Sequence, residues 1–504
     1  MCGEESAILM SGARLGHNGR KGGMIRIFGR WMVVLLLACG TVWAQQGTNP
    51  AQQPPQTTVP QTGGHANAPA ASSPDFLQAA DEVLEQMSRI LALPVKEPLK
   101  KSLRSRAQIH DYLVQQEKEE KEPEKRYADE RALEAFGLIP RGFPLESFLM
   151  DLMTEQIAGL YDPKSKEFFI ADWISPEDQK PVMAHELTHA LDDQYYHIDP
   201  WEKAARPNDD AESAREAVLE GSALAAMFDY VLLPQKLSVR TFPDISVLIN
   251  DQTADEEGKD PMLQKAPPFI RDDLLFPYVA GANFTQQFLK ANSGWGDFYK
   301  VFENPPVSTQ QILHPELYFA GVKPLPIALP DLAPILPAGW KELDQNVMGE
   351  YGLKEVVKQF LGDAEAEKLS PDWAADRYAI SESADKKQTL LIFCLRLEKP
   401  EDTKEFFTQY SSLLKKKYPA HMAVEEQPSL LQWQTGYGTV TLECREQECL
   451  TVEGSDAAFF DRLLKAMDWP AVIAAPGAPA LPAPVPTMPS PSAVPPPSGV
   501  PISH

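Results

Sequence analysis

The chain has 504 residues, which is room for two or three domains, and 43% of them are hydrophobic, as is ordinary for a folded protein. Its formal net charge is −24, and lysine and arginine do not gather into a basic patch. The composition therefore argues against nucleic acid as a partner, and the simplest consequence of the acidity is solubility.

The first 44 residues are predicted to be a secretory signal peptide. Arg26 and Arg30 precede the apolar run WMVVLLLACGTVWA, which is too short to span a membrane comfortably. Val42 and Ala44 are small residues at the two positions that a signal peptidase reads. We therefore expect an exported chain, periplasmic or secreted, that starts at Gln45 and has no membrane span after signal removal.

Two features of this N-terminal region bear on where the mature chain starts. The residues before Met24 are polar and unlike the start of a signal peptide, so Met24 is the expected translation start. Leu-Leu-Ala-Cys, which ends at Cys39, resembles a lipobox, so a lipoprotein anchored at Cys39 is the alternative. The bulky Leu37 disfavours that anchor.

The next residues are predicted to form a linker, helices and a strand pair. Residues 45–74 have the composition of a disordered linker, and residues 75–138 are predicted to be helical, with a second helix from Lys100 to Lys121. The stretch LYDPKSKEFFIA is predicted to form two short strands around an Asp-Pro-Lys-Ser turn. The edge of such a strand can bind an extended peptide through backbone hydrogen bonds.

The motif HELTH, His185–His189, lies in the apolar helical stretch PVMAHELTHAL. Histidines four residues apart share one face of a helix, so both imidazoles can reach the same metal ion. Glu186 lies beside the first histidine and can act as general base on a water at that metal. The helix is expected to begin near Lys180, because Pro181 is tolerated in a first turn only. The alternative is a core helix with two hydrogen-bonded histidines.

A third ligand is expected on the next predicted helix, DDAESAREAVLEGSALAAMFDYVLL. Zinc in catalytic sites commonly binds three protein side chains and keeps the fourth position for water. Glu216 and Glu220 lie four apart on one face of this helix. Glu220 is preferred, because the neighbouring Gly221 would let this helix pack tightly against the HELTH helix. Glu216 is the alternative ligand.

Three motifs resemble those of the gluzincin zinc peptidases, and most closely those of a poorly characterised group of bacterial proteins classed as metallopeptidases. They are HELTHALDDQ at 185–194, DAESAREAVLEGSA at 210–223 and PPVSTQQILHP at 305–315, and the resemblance covers about residues 140–320. The E-G-x-A that starts at Glu220 is similar to the aminopeptidase branch, whereas the thermolysin branch has an aspartate where this chain has Leu224. The resemblance implies a metallopeptidase fold, but no particular substrate.

Four further residues are candidates for supporting roles. Asp193, four residues after His189, could accept the second N–H of one imidazole and fix its tautomer, and Asp210 could do so for the other. The gluzincin resemblance implies a histidine or tyrosine that steadies the oxyanion, and His314 or Tyr318 is the candidate. The alternatives are surface or capping carboxylates and a histidine packed in the core.

Residues 340–469 are predicted to form a small α+β domain with an antiparallel sheet. Cys444 and Cys449 flank a turn between two strands and could form a disulfide, whereas Cys394 is predicted to be a buried thiol. This domain could present substrate, bind an envelope partner or cap the catalytic domain. The Pro-rich tail, 470–504, could cross a cell-wall layer or dock a partner.

The sequence as a whole predicts an α+β protein, with a mostly helical zincin-like catalytic domain and a short strand region before the small antiparallel α+β domain. The predicted regions are a signal peptide at 1–44, a disordered linker at 45–74, a zincin-like metallopeptidase domain at 75–325, a small α+β domain at 340–469 and a Pro-rich disordered tail at 470–504.

The predicted function is zinc-dependent hydrolysis of peptide bonds in the bacterial envelope or outside the cell, with a peptide or protein as substrate. Zn²⁺ is the expected cofactor; its ligands are His185, His189 and Glu220, and the catalytic residues are Glu186 and His314. The alternative is a non-catalytic, zinc-stabilised envelope scaffold or binding module. The presence of Glu186 disfavours it, because a purely structural metal site needs no base.

Overall fold

The computed structural model describes residues 73–119, 122–246, 249, 261–467 and 469. A largely helical N-terminal part is followed by a seven-stranded antiparallel sheet with its own helices, which confirms the predicted α+β class. The predicted signal peptide and Pro-rich tail, and residues 45–72 of the predicted linker, lie outside the described residues.

The N-terminal part consists of helices and a three-stranded sheet. Its elements are α1 (Ser73–Leu91), β1 (Lys100–Arg104), α2 (Arg106–Glu119), α3 (Pro123–Phe136), α4 (Leu145–Gln156), β2 (Gly159–Asp162), β3 (Glu167–Ala171), α5 (Pro176–Tyr196), α6 (Ile198–Lys203) and α7 (Asp209–Leu232). In the sheet, β3 lies between β1, which runs parallel to it, and β2, which runs antiparallel. The β2–β3 hairpin confirms the two predicted strands. The helix predicted between Lys100 and Lys121 is present as α2, but its predicted start is wrong, because residues 100–104 pair with β3, a distant segment of the chain.

Helix α5, which carries the HELTH motif, begins earlier than the sequence predicts. Ser175 caps it by accepting a hydrogen bond from the N–H of Asp178, and Pro176 occupies the first helical position. Pro181 therefore lies inside the helix rather than at its start. It leaves one backbone carbonyl without its usual donor, and the capped first turn, which contains Glu177, helps to offset that loss.

On the way from α7 to the large sheet, the described residues include the helices α8 (Pro261–Lys265), α9 (Pro268–Ala291), α10 (Trp295–Phe298), α11 (Lys300–Glu303), α12 (Thr309–Leu313) and α13 (Pro315–Ala320). Helices α7 and α9 cross at two glycines. A Cβ at Gly221 would lie 2.0 Å from the carbonyl carbon of Gly281, and one at Gly281 would lie 1.9 Å from the carbonyl oxygen of Ala217. Gly221 is thus needed for close packing, but the predicted partner is wrong, since the nearest backbone belongs to α9 and not to α5.

The stretch Asp209–Gln235, which includes α7, is long and apolar enough to cross a membrane, alone among the helices of the described ranges. Its most apolar window is 72% buried inside the protein, as in the core helix of a folded domain. The apolar side chains of α7 therefore contribute to the core that surrounds the HELTH helix.

The C-terminal part is built on a sheet with the strand order β4-β5-β6-β10-β9-β8-β7. Its elements are β4 (Lys341–Asn346), α14 (Gly349–Leu361), α15 (Asp363–Leu369), β5 (Trp373–Glu382), β6 (Thr389–Leu397), α16 (Asp402–Lys417), β7 (Met422–Gln427), β8 (Leu430–Thr435), β9 (Gly438–Arg445), β10 (Glu448–Ser455) and α17 (Ala457–Ala466). Helices α14 and α16 pack on one face of the sheet and α17 on the other.

The cysteines lie as the sequence predicts. Cys444 in β9 and Cys449 in β10 are directly paired across the two strands and form a disulfide. Cys394 in β6 is a buried free thiol. Both predictions are therefore confirmed.

One hydrophobic core joins the sheet to helices of the N-terminal part. Phe136 of α3 meets Tyr378 and Phe393 of the sheet edge to face, with ring centroids 5.6 and 5.5 Å apart. Such aromatic pairs stabilise a contact by about 0.5–1.5 kcal/mol beyond the area they bury. The two parts therefore share packed side chains, and the predicted domain boundaries at 325 and 340 stay a prediction.

Candidate metal centre

Two helices bring the predicted ligands together. His185 and His189 lie one turn apart on α5, and Glu220 lies on α7. The Nε2 atoms of the two histidines are 3.1 Å apart, and Oε2 of Glu220 lies 3.2 Å from Nε2 of His185 and 3.5 Å from Nε2 of His189. The three side chains are buried and could hold a metal ion, and they are called the metal group below.

The spacing of these three atoms fits tetrahedral coordination. Ligand atoms at about 2.0–2.1 Å from a tetrahedral zinc ion lie about 3.3 Å from one another. The observed separations of 3.1, 3.2 and 3.5 Å lie around that value. Two imidazole nitrogens and one carboxylate oxygen are also a donor set that zinc uses in catalytic sites, where the fourth position is left to water.

Within the group, His189 and Glu220 stabilise each other's charged forms. Burial works against ionisation of all three side chains, but Glu220 raises the pKa of His189 to about 9, and His189 and His185 lower the pKa of Glu220 to about 2. Burial lowers the pKa of His185, which favours the neutral imidazole. Because metal ions bind neutral imidazoles, binding at this group would release the proton of His189.

Glu186, the predicted general base, lies beside the group and is held by the small sheet. Its Oε2 accepts a hydrogen bond of 2.8 Å from the backbone N–H of Tyr161 in β2. Burial raises the pKa of Glu186 to about 7. A carboxyl group with this pKa is suited to taking up and giving back a proton near neutral pH.

Helix α9 contributes a site residue that the sequence did not indicate. The ring of Tyr278 stacks near that of His185, with centroids 6.1 Å apart and planes 30° apart. Burial and the charges of Glu220 and Glu216 raise the pKa of its hydroxyl, which keeps the hydroxyl protonated. The carboxylate of Glu220 interacts with this hydroxyl and favours its protonated form.

Glu216, the alternative ligand, is buried one turn before Glu220 on the same helix. It is not a member of the group of three, although its charge acts on the hydroxyl of Tyr278. The geometry therefore favours Glu220 as the third ligand.

The two carboxylates predicted to fix the imidazoles bind other groups. Oδ2 of Asp193 accepts the hydroxyl of Tyr161 at 2.7 Å and pairs with Lys166, and its Oδ1 accepts the N–H of Ile198 at 3.1 Å. Asp210 accepts two hydrogen bonds from Thr309. Among the described residues neither aspartate bonds to an imidazole, because both are engaged by distant segments of the chain.

Asp192, one residue earlier than Asp193, acts on the metal group, although less strongly than Glu220 and Glu186 do. It is buried three residues after His189 and its charge raises the pKa of that histidine. Burial in turn raises the pKa of Asp192 to about 7. Positions three and four residues along a helix both lie near the starting face, so sequence spacing alone could not choose between the two aspartates.

His314 and Tyr318, the predicted candidates for the oxyanion, also have partners outside the group. Nε2 of His314 lies 2.7 Å from Oε1 of Glu350, and the hydroxyl of Tyr318 donates to the carbonyl of Asn304 at 2.8 Å. No contact in the described part of the chain supports an oxyanion role for either residue. Tyr278 replaces them as the candidate.

The comparisons with known proteins concern the sheet part of the chain. Residues 337–464 match a family described as a domain of unknown function (DUF8575). The match runs from just before β4 into α17 and does not include the metal group. No curated protein and no solved structure matches the chain.

Proposed function

We propose that this chain is a zinc metallopeptidase that hydrolyses peptide bonds. The observation that carries the proposal is the convergence of His185, His189 and Glu220 at tetrahedral spacing with a fourth buried side chain, Glu186, beside them. A purely structural metal site has no use for a carboxylate that is not a ligand, whereas metal-assisted hydrolysis needs one as a base.

Glu186 and Tyr278 would have different roles in hydrolysis. Bound zinc would act as a Lewis acid and lower the pKa of water. Glu186 would take a proton from the attacking water as its oxygen bonds to the carbonyl carbon. It would then pass that proton to the leaving amine as the C–N bond breaks. The hydroxyl of Tyr278 would donate a hydrogen bond to the carbonyl oxygen as negative charge develops on it.

The position of β2 supports a peptide as the substrate. It is an edge strand of its sheet and packs against α5, where Gly159 meets Val182. Because β2 is buried and the N–H of Tyr161 is bonded to Glu186, a peptide could add to this edge only after the site opens, and it would then lie beside the base.

The role of Tyr278 can be tested with Tyr278→Phe, which keeps the ring and removes the hydroxyl. We expect kcat to fall by about 10²–10³-fold, the effect of losing one oxyanion donor, with the metal content unchanged. Tyr318→Phe is the comparison, because its hydroxyl donates to Asn304. A larger loss in Tyr318→Phe than in Tyr278→Phe, measured by steady-state kinetics, would contradict the assignment.

A non-catalytic scaffold stabilised by zinc is the second candidate, and the burial of the site favours it. Glu186 and His189 are only 7% and 9% exposed, and His185 is 2% exposed. A metal that only stabilises the fold does not have to be reached by a substrate, so burial is compatible with a structural role. If the chain is a peptidase, the site must open before a substrate can enter.

Incubation of the purified, zinc-loaded chain with a broad peptide library, followed by mass spectrometry, separates the two candidates. The peptidase proposal expects new termini at a recurring sequence, and their loss when a chelator removes the metal. Metal uptake without any cleavage across the library would support the scaffold instead.

We propose further that the chain works outside the cytoplasm, in the bacterial envelope or beyond it. The Cys444–Cys449 disulfide supports this, since disulfides persist mainly in oxidising compartments. The exported chain is expected to start at Gln45, which mass spectrometry of its N-terminal peptide can test. An intact N-terminus, or a lipid on Cys39, would contradict the proposed cleavage.

A further inference from the structure

The N-terminal end of α7, the helix that carries Glu220, is held by residues of the sheet part. The backbone N–H of Asp209 donates to Oδ1 of Asn346, the last residue of β4, at 3.0 Å. The same oxygen accepts the N–H of Val347 at 2.8 Å, and Asn346 is fully buried. A side chain of the sheet part therefore satisfies one of the backbone donors that every helix start leaves open.

Asp210 makes a second connection. Its Oδ1 accepts the backbone N–H of Thr309 at 2.8 Å and the hydroxyl of Thr309 at 2.5 Å. That hydroxyl oxygen in turn accepts the N–H of Tyr351 in α14 at 3.2 Å. One threonine thus lies between the ligand helix and the first helix of the sheet part.

Two more polar side chains of the PPVSTQQILHP motif, Gln310 and His314, extend this connection. Nε2 of Gln310 donates to the carbonyl of Trp373 at 2.7 Å, at the start of β5. His314 pairs with Glu350 in α14 at 2.7 Å. The third motif of the chain therefore binds the sheet part rather than the metal group.

At Gly349, the backbone of the sheet part comes very close to the side chain of Asp210. Its φ is +77°, and a Cβ there would lie 1.9 Å from Oδ1 of Asp210 and 2.8 Å from the hydroxyl oxygen of Thr309. The backbone is fixed at this point, because the N–H groups of Met348 and Gly349 donate to the two carboxylate oxygens of Asp376 at 2.8 and 2.7 Å.

We infer that the sheet part positions the metal ligand Glu220 by holding the first turn of α7 at Asn346 and Gly349. A helix transmits a shift of its first turn along its axis, about 15 Å over the ten residues from Asp210 to Glu220. Metal–ligand distances tolerate deviations of only about 0.2 Å. Asn346, Gly349 and Asp376 all lie within residues 337–464, so the matched domain of unknown function has a positioning role in the metal centre. The inference requires metal binding but no peptidase activity.

Two glycine variants of the full chain test this inference. Gly349→Ala introduces a Cβ against Asp210, whereas Gly339→Ala, at φ +82°, has the same backbone strain but meets only the Cβ of Ala384 at 3.6 Å. We expect Gly349→Ala to bind zinc about tenfold or more weakly, the loss typical of groups that support a ligand, and Gly339→Ala to bind as wild type does. Affinity is measured by chelator competition, and circular dichroism checks that each metal-free variant is folded.

The visible spectrum of the cobalt-loaded protein gives a readout of ligand geometry that lost stability alone would not change. We expect it to differ from wild type in Gly349→Ala and not in Gly339→Ala. Equal affinities and spectra in the two variants would overturn the inference. So would a wild-type chain that takes up no divalent metal, because there would be no centre to position.

A double-mutant cycle tests whether the substitution at Gly349 weakens metal binding through its contact with Asp210. Asp210→Ala removes the oxygen that the new Cβ would meet, so Gly349→Ala should cost less affinity in that background than in wild type. Strictly additive losses would mean that Gly349 does not act through Asp210 and would overturn the inference. If Gly349→Ala does not fold, Asn346→Ala replaces it: it removes the acceptor of the Asp209 N–H without a clash, and an unchanged metal affinity would overturn the inference.

Discussion

Glu186→Gln is expected to lose most of its peptide hydrolysis while it keeps the metal and the fold. The amide has nearly the shape of the carboxylate but cannot take a proton from water. General acid–base catalysis contributes about 10²–10⁴-fold, so kcat should fall by about that factor. The metal should stay, because Glu186 is not a member of the ligand group, and the amide oxygen can still accept the N–H of Tyr161.

The matched control for this variant is Glu177→Gln, the same substitution at an exposed position of the same helix. Its kcat should equal that of wild type on the peptide that the library screen identifies. Equal kcat in Glu186→Gln and wild type would show that another group activates the water. Loss of zinc from Glu186→Gln, measured by elemental analysis, would show instead that Glu186 has a structural role.

Glu220→Ala is expected to lose its metal under conditions in which wild type carries about one zinc per chain. Apparent binding free energies of structural zinc sites are about 10–16 kcal/mol, or about 2.5–4 kcal/mol for each of four ligands, so removing one should weaken binding about 10²–10³-fold. The stabilisation by added zinc, seen as a rise in Tm, should disappear with it.

Glu216→Ala is the control for that experiment, because Glu216 is a buried glutamate on the same face of α7 that does not belong to the ligand group. We expect it to bind zinc with an affinity close to that of wild type. Full zinc occupancy in Glu220→Ala together with loss in Glu216→Ala would reverse the assignment of the third ligand.

The sequence predicts the parts of this centre that depend on spacing within one helix. His185 and His189 meet because they are four apart on α5, and the E-G-x-A pattern pointed to Glu220. Tyr278 could not be predicted in this way, because it reaches the centre from α9, a separate helix whose aromatic residues resemble core residues in sequence.

Other differences between sequence and structure also come from contacts between distant segments. The strand β1 forms because Lys100–Arg104 pairs in parallel with β3, and no local pattern indicates such pairing. Asp193 turns away from His189 because Tyr161 and Lys166 bind it. Strands β4 and β7 form the two edges of the sheet, and their sequences, KELDQN and MAVEEQ, lack the sustained apolar alternation that identifies a strand.

The disulfide and the free thiol of the large sheet lie on opposite faces of it. Cys444 and Cys449 contribute to the core on one face, whereas Cys394, whose strand neighbours that of Cys449, contributes to the core on the other. Thiol–disulfide exchange requires a thiolate that reaches a disulfide sulfur. Burial raises the pKa of Cys394, so its thiolate is scarce, and the sheet itself stands between that thiol and the disulfide. In the folded state, Cys394 is thereby insulated from disulfide exchange, so its reduced thiol can persist beside the oxidised Cys444–Cys449 pair.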